Sequence, residues 1–100
     1  MTRYLFTPQA ARDLFDIWDY IARDNPQAAD KVEEAISLAC VLLADSPRMG
    51  MVRKDLTSLP LRFWVVSPYP NYLIVYDPEK KPLRIVRIIH GKRDIPPELV

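Results

Sequence analysis

Glycine, cysteine and histidine are scarce in this 100-residue sequence, which contains two glycines, one cysteine and one histidine. The single cysteine, Cys40, has no second cysteine with which to form an internal disulfide. With one histidine beside it, the chain also lacks the ligand set of the usual Cys/His metal sites. Two isolated glycines exclude a glycine-rich phosphate-binding loop. We therefore expect no metal ion and no cofactor, and a fold stabilised by packing.

Long apolar runs are also lacking. No segment approaches the roughly 20 apolar residues of a membrane span, and the N-terminus lacks the basic-then-apolar order of a signal peptide. The sequence therefore predicts a cytoplasmic protein with no membrane contact. Its 100 residues, 49% of them hydrophobic, fit a single domain over residues 1–100 with one modest core.

The net charge of +1 conceals an asymmetry between the two halves of the chain. Residues 1–45 carry four basic and eight acidic side chains, whereas residues 46–100 carry ten basic and five acidic ones. Such a dipolar molecule can present a basic face to a phosphate backbone or to an acidic protein. The same pattern also arises when charges only keep each half soluble.

Prolines separate the predicted elements. Thr7-Pro8 and Asn25-Pro26 each place a capping side chain before a proline suited to the first helical turn. Apolar residues then recur at helical spacing, which predicts two helices joined by a short link as an antiparallel hairpin. The polar side of the first helix carries Arg12, Asp13, Asp16, Asp19 and Arg23.

The end of the second helix is apolar on nearly all sides, from Ile36 to Ala44. A helix of this kind is covered on more than one face, so we expect either the domain's own sheet or a partner protein to cover it. Cys40 lies inside this run, and we interpret it as a small buried apolar residue.

After Ser46 the sequence changes to β-branched and aromatic runs separated by Pro, Asn and Asp. The connections between these runs have the length of hairpin loops, which predicts antiparallel pairing. We therefore predict an α+β fold, in which an N-terminal strand and the helical hairpin pack on one face of an antiparallel sheet of three to four strands. The other face would be a free surface. The predicted strands are Tyr4–Phe6, Leu61–Val66, Tyr72–Tyr76 and Leu83–His90.

Basic residues within the strands are the candidate functional residues. An arginine in an apolar strand needs an acidic partner or a solvent-open groove, so structural ion pairs and binding roles both stay open. His90 is the one side chain suited to proton transfer near neutral pH, although it also fits a hydrogen-bonding role at a strand end. Strand alternation places Arg62 with Trp64 and Val66, Arg87 with Leu83, Ile85 and Ile89, and Arg84 with Val86, Ile88 and His90.

The sequence resembles the ParE branch of the ParE/RelE toxin superfamily, of the plasmid-stabilisation type, over nearly its whole length. Single pieces of the pattern are loose, and it is their order and spacing that carry the resemblance. In the first half these are Thr7-Pro8-Gln9-Ala10-Ala11, Asp13-Leu14, Ile17, Tyr20-Ile21, Asn25-Pro26, Ala28-Ala29 and Leu42-Leu43. In the second half they are Ser46-Pro47-Arg48-Met49-Gly50, Arg53, Leu61-Arg62, Asn71-Tyr72-Leu73-Ile74-Val75-Tyr76 and Ile88-Ile89-His90-Gly91-Lys92-Arg93-Asp94.

This resemblance implies the toxin of a type II toxin-antitoxin pair, neutralised in a complex by a ParD-like antitoxin that adds a strand and docks a helix in a groove. ParE-like members poison DNA gyrase by stabilising its cleaved-DNA complex, without performing chemistry themselves. The residues expected to bind target or partner are Arg62, Arg84, Arg87, His90, Lys92 and Arg93.

Two alternatives stay open. RelE-like members are ribosome-dependent endonucleases that cut mRNA, and in that case Arg62 and Arg87 would hold phosphate while His90 moves a proton. The long hairpin and the absence of tyrosine from the last ten residues favour the ParE branch. The second alternative is a degenerate, non-toxic module that only binds its antitoxin.

Overall fold

A computed structural model describes residues 2–91 of the chain. Within this range the fold is α+β, as the sequence predicts, with two helices and one sheet of five strands rather than the predicted three to four. The helices are α1 (Pro8–Ala22) and α2 (Pro26–Asp45). The strands are β1 (Tyr4–Phe6), β2 (Met51–Val52), β3 (Arg62–Val65), β4 (Tyr72–Asp77) and β5 (Leu83–His90).

Both helices begin where the sequence predicts. The Thr7 side chain accepts a hydrogen bond from the Ala10 amide, and the Asn25 side chain accepts one from the Ala28 amide, each at 3.1 Å. The proline after each cap occupies the first helical turn, where a missing N–H costs no hydrogen bond. The two helices pack against each other as a hairpin on one face of the sheet.

The strand order is β1-β5-β4-β3-β2. The last three strands form the predicted antiparallel meander, and two features differ from the prediction. β1 pairs with β5 in parallel, so the sheet is mixed and not antiparallel throughout as predicted. β2 extends the far edge antiparallel to β3, and its two residues are too few to produce a detectable alternation in the sequence.

The main core lies between the helical hairpin and the sheet. Ile36, Cys40 and Leu43 from α2 meet Ile74 and Tyr76 from β4 there, and all five are fully buried. Burial raises the pKa of the Cys40 thiol to about 12, so the thiol stays protonated at physiological pH. Cys40 is thus the buried apolar residue that the sequence indicates.

The opposite face of the sheet is covered in part, which corrects the expectation of a free surface. Leu61, Phe63 and Val75 are buried in a second apolar cluster, together with Leu73 and Ile89. The segment that joins β2 to β3 supplies Leu56 and Leu61 to this cluster and folds back over the sheet. The sequence between the two strands contains few regular features, so this covering role was not visible in the pattern.

A β-bulge in the pairing of β4 with β5 corrects the predicted faces of β5. Val75 pairs with Arg87, but its neighbour Tyr76 pairs with Ile85, so Val86 is the extra residue. One extra residue reverses the in-and-out alternation beyond it. Ile88 therefore joins Leu83 and Ile85 in the main core, whereas Val86 and Ile89 contact the second cluster.

Candidate functional site

The Asp13 side chain of α1 binds groups from both α1 and β5. Its carboxylate accepts hydrogen bonds from Nε and Nη2 of Arg87 at 2.7 and 3.2 Å. It also accepts the Ile88 amide at 3.0 Å and the Gln9 side-chain amide at 3.0 Å. Asp13 is 9% exposed, so the prediction that it lies on the polar side of the helix is wrong.

Thr7 and Asp13 bind the backbone of β5 at the point where β1 has ended. The Thr7 amide donates to the Ile85 carbonyl, and the Thr7 hydroxyl donates to the Val86 carbonyl at 2.8 Å. Further along β5, the Ile88 amide donates a hydrogen bond to the Asp13 carboxylate. The first turns of α1 therefore supply the hydrogen bonds that a neighbouring strand would otherwise make. Without them, a buried amide of β5 would stay unpaired, at a cost of about 1–3 kcal/mol.

A groove of about 510 Å³ runs beside this ion pair, between α1 and the edge of β5. Its walls include Asp16 and Tyr20 from α1, Tyr72 from β4, and the Arg87 side chain. The Arg87 side chain is 23% exposed here, and its Nε and Nη2 atoms donate to the Asp13 carboxylate. It thus has the acidic partner that an arginine within an apolar strand requires.

Arg62 lies on β3, across β4 from Arg87, and also has a structural partner. Its Nη1 donates to the backbone carbonyls of Gly50 and Arg48, at 2.7 and 3.3 Å. The buried Tyr76 hydroxyl supports the same loop, since it donates to the Pro47 carbonyl at 2.6 Å and accepts from the Gly50 amide at 2.9 Å. Arg62 and Tyr76 together hold the segment between α2 and β2.

Gly50 is required by this arrangement. A Cβ built at this position would lie 2.7 Å from Cε1 of Tyr76, well inside van der Waals contact. The tyrosine ring, closed in the core, has no room to move away.

His90 and Arg84 occupy different parts of the sheet from Arg62. The His90 ring packs edge-to-face on Tyr72, with ring centroids 5.4 Å apart. Arg84 is exposed, and strand pairing places it opposite Leu5 of β1 and Asp77 of β4. Lys92 and Arg93 lie outside the described residues.

The structure does not bring Arg62 and His90 together. Arg62 is paired with Tyr76 and His90 with Tyr72, four residues along the same strand. This separation corresponds to about 13 Å along the sheet, too far for the two side chains to act on one phosphate. Within residues 2–91 no group of three or more potential metal ligands comes together either.

An apolar groove follows the outer side of α2. Leu38 and Leu42 of the helix are 64% and 46% exposed, and they face Trp64 and Tyr69 across a cavity of about 480 Å³. The sheet thus covers only part of the apolar run from Ile36 to Ala44. We call this surface the α2 groove; its lining residues are Lys31, Glu34, Ala35, Leu38, Ala39, Leu42, Trp64, Ser67, Pro68 and Tyr69.

The arrangement of a helical hairpin on this sheet is similar to that of a chain of known structure. A chain of the chromosomal ParDE toxin-antitoxin system from P. aeruginosa matches it with a TM-score of 0.70 and 24% identity, over 90% of this chain and 96% of that chain. No curated protein matches the sequence at a significant level.

The family follows from the sequence itself. Residues 4–95 match the model of the ParE toxin of the type II toxin-antitoxin system parDE, and this chain therefore belongs to the ParE toxin family. The family points to a cognate antitoxin as its partner. In the described part of the chain, neither helix has the length and apolar character needed to cross a membrane.

We expect Asp13→Ala to lower the free energy of unfolding by about 3 kcal/mol. The substitution leaves the Arg87 guanidinium without its partner and the buried Ile88 amide without an acceptor. Urea denaturation followed by circular dichroism measures the loss. Asp16→Ala, an exposed position one turn away, serves as the control and should change stability by less than about 0.5 kcal/mol. Equal effects of the two variants would contradict the structural role of Asp13.

Tyr76→Phe should cost about 2 kcal/mol, because it leaves the Gly50 amide and the Pro47 carbonyl without their partner. Tyr69→Phe removes a hydroxyl from a half-buried ring and is the matched control, with an expected change below about 0.5 kcal/mol. Thermal unfolding of the two variants makes the comparison. A Tyr76→Phe variant as stable as its control would show that the hydroxyl does not hold the loop.

Proposed function

We propose that this chain poisons DNA gyrase by stabilising the cleaved-DNA complex, and that a ParD-like antitoxin neutralises it in a cytoplasmic complex. The observation that carries the proposal is membership of the ParE family over residues 4–95. The activity itself is what the ParE resemblance implies, because members of this branch act on gyrase.

The use of the charged residues supports binding over chemistry. An RNA-cleaving centre needs cations and a proton-transfer group that converge on one phosphate. Arg87 is held by Asp13, Arg62 by two backbone carbonyls, and His90 lies against Tyr72. The separation of Arg62 from His90, with both arginines bound within the fold, suits a protein that acts by occupying a surface.

The α2 groove is our candidate for the antitoxin helix. It exposes Leu38 and Leu42 beside Trp64, and an apolar groove of this kind accepts the apolar face of an amphipathic helix. β3 extends beyond β2 at Trp64 and Val65, so its open edge also offers backbone groups for an added strand next to the groove.

Arg84 is our candidate for a target contact among the described residues. It is exposed on β5 and forms no ion pair within residues 2–91. Substitution of Arg62 or Arg87 would disturb the fold, so a loss of toxicity there would not identify a contact. In the proposal, Arg84 acts with Lys92 and Arg93, which follow β5 in the sequence and belong to the same basic half of the chain.

The test incubates the purified chain with DNA gyrase, ATP and plasmid, and measures supercoiling and trapped cleaved DNA. We expect supercoiling to fall and cleaved DNA to accumulate, and a cognate antitoxin to reverse both. Growth arrest without any effect on gyrase would instead favour RNA cleavage. If the chain causes neither growth arrest nor gyrase inhibition, the result would favour the degenerate antitoxin-binding module.

Arg84→Ala should weaken gyrase inhibition about five- to tenfold without loss of stability, because it removes an exposed charge from the proposed contact surface. The matched control is Arg12→Ala, which removes an exposed arginine from α1, in the acidic half of the chain. The concentration that halves supercoiling measures both variants. Equal inhibition by Arg84→Ala and the unaltered chain would exclude Arg84 from the contact.

A further inference from the structure

A solvent-facing stripe runs along α2 and forms part of the wall of the α2 groove. Lys31, Leu38, Leu42 and Asp45 are spaced so that they share one side of the helix, and all four are exposed. From Lys31 to Asp45 the stripe is about 21 Å long. Leu38, at its centre, is 64% exposed, the largest value among the big apolar side chains of residues 2–91.

The charges on this stripe are symmetric about Leu38. Lys31 lies seven residues before it and Asp45 seven residues after it. When two such helices pack antiparallel with their Leu38 side chains in contact, Lys31 of each copy lies opposite Asp45 of the other. Two symmetry-related ion pairs then flank an apolar centre.

We propose that two copies of this chain associate through this stripe, with α2 packed antiparallel on α2 about a two-fold axis at Leu38. A two-fold interface requires a surface complementary to itself, and the opposite charges at equal distances from Leu38 meet that requirement. Lys31 has no ion-pair partner among residues 2–91. Asp45 is exposed and forms an ion pair with Arg3 at 3.3 Å.

The remaining positions are compatible with this register. Ala35 of one copy lies opposite Val41 of the other, which lets the two helices approach closely. Glu34 lies opposite Leu42, where its aliphatic stem covers the leucine while its carboxylate stays at the solvent edge. The Lys31 stem likewise lies along the groove that it already lines.

The contact is small, since one pair of short helical faces buries less than the roughly 1,200 Å² of a stable interface. We therefore expect a weak dimer with a dissociation constant in the micromolar range. The dimer does not depend on the proposed action on gyrase. It covers Leu38 and Leu42 of the α2 groove, so a second copy and a docked antitoxin helix exclude each other. Its test uses the purified full chain alone, so failure here and failure of the proposed function are separate results.

Sedimentation velocity from low to high micromolar concentration measures the association. We expect the unaltered chain to shift from monomer to dimer over this range, and Leu38→Glu to stay monomeric, because the variant brings two carboxylates together at the axis. Phe15→Glu is the matched control, since Phe15 of α1 is 63% exposed and lies away from the stripe. It should dimerise like the unaltered chain.

Charge reversal tests the register. Lys31→Glu and Asp45→Lys should each weaken the dimer about tenfold, since each variant replaces both attractive pairs with repulsive ones. The combined variant restores opposite charges and should recover most of the affinity. Arg3→Gln removes the internal partner of Asp45 and should leave the affinity unchanged, which separates the interface from the Arg3 contact.

Two results would overturn the proposal. A chain that remains monomeric up to high micromolar concentration does not use the stripe for self-association, which leaves the α2 groove to other partners. A dimer that Leu38→Glu and Phe15→Glu disturb equally, or whose single reversals are not rescued by the combined variant, is formed through another surface.

Discussion

The carboxylate of Asp13 joins the two layers of this fold. Its oxygens bind the Arg87 guanidinium, the Ile88 amide and the Gln9 side chain, so that α1 is fixed to β5 where β1 has already ended. A strand edge in the interior needs partners for its amides, and here a helix supplies them. Asp13 thus adds a polar anchor for α1 to the apolar packing that holds both helices on the sheet.

The same interaction engages one of the basic residues that lie within the strands. Two of the arginines in the strands are committed to the fold: Arg87 to a buried carboxylate and Arg62 to the loop held by Tyr76. The exposed features of residues 2–91 include an apolar groove along α2 and surface charges such as Arg84. Surfaces of this kind bind macromolecules, in keeping with a family whose members are paired with antitoxins.

Local signals in the sequence were sufficient for much of the fold. The two cap-proline pairs define the starts of both helices because a capped first turn needs only neighbouring residues. Three features were not predicted, because the local sequence carries no clear signal for them. The buried Asp13 has its partner 74 residues away, the bulge at Val86 carries no glycine or proline, and β2 has only two residues. Sequence alternation therefore placed Ile88 on the wrong face of β5.

The candidate site was predictable in kind and less so in detail. An arginine within an apolar strand indicates an acidic partner or a binding groove, and Arg87 has both features, since its ion pair borders a groove. Which aspartate it binds depends on how α1 lies over the sheet. The apolar run from Ile36 to Ala44 likewise indicated a covered surface, yet only the structure shows that Leu38 and Leu42 stay exposed.

A double-mutant cycle on Asp13 and Arg87 tests the central claim most directly. Urea unfolding gives the stability of Asp13→Ala, Arg87→Ala and the double variant. If the two side chains form one structural unit, the double variant loses far less than the sum of the single losses, with a coupling of about 2 kcal/mol or more. Additive losses, within about 0.5 kcal/mol, would contradict the account and return Arg87 to the set of residues available for binding a target.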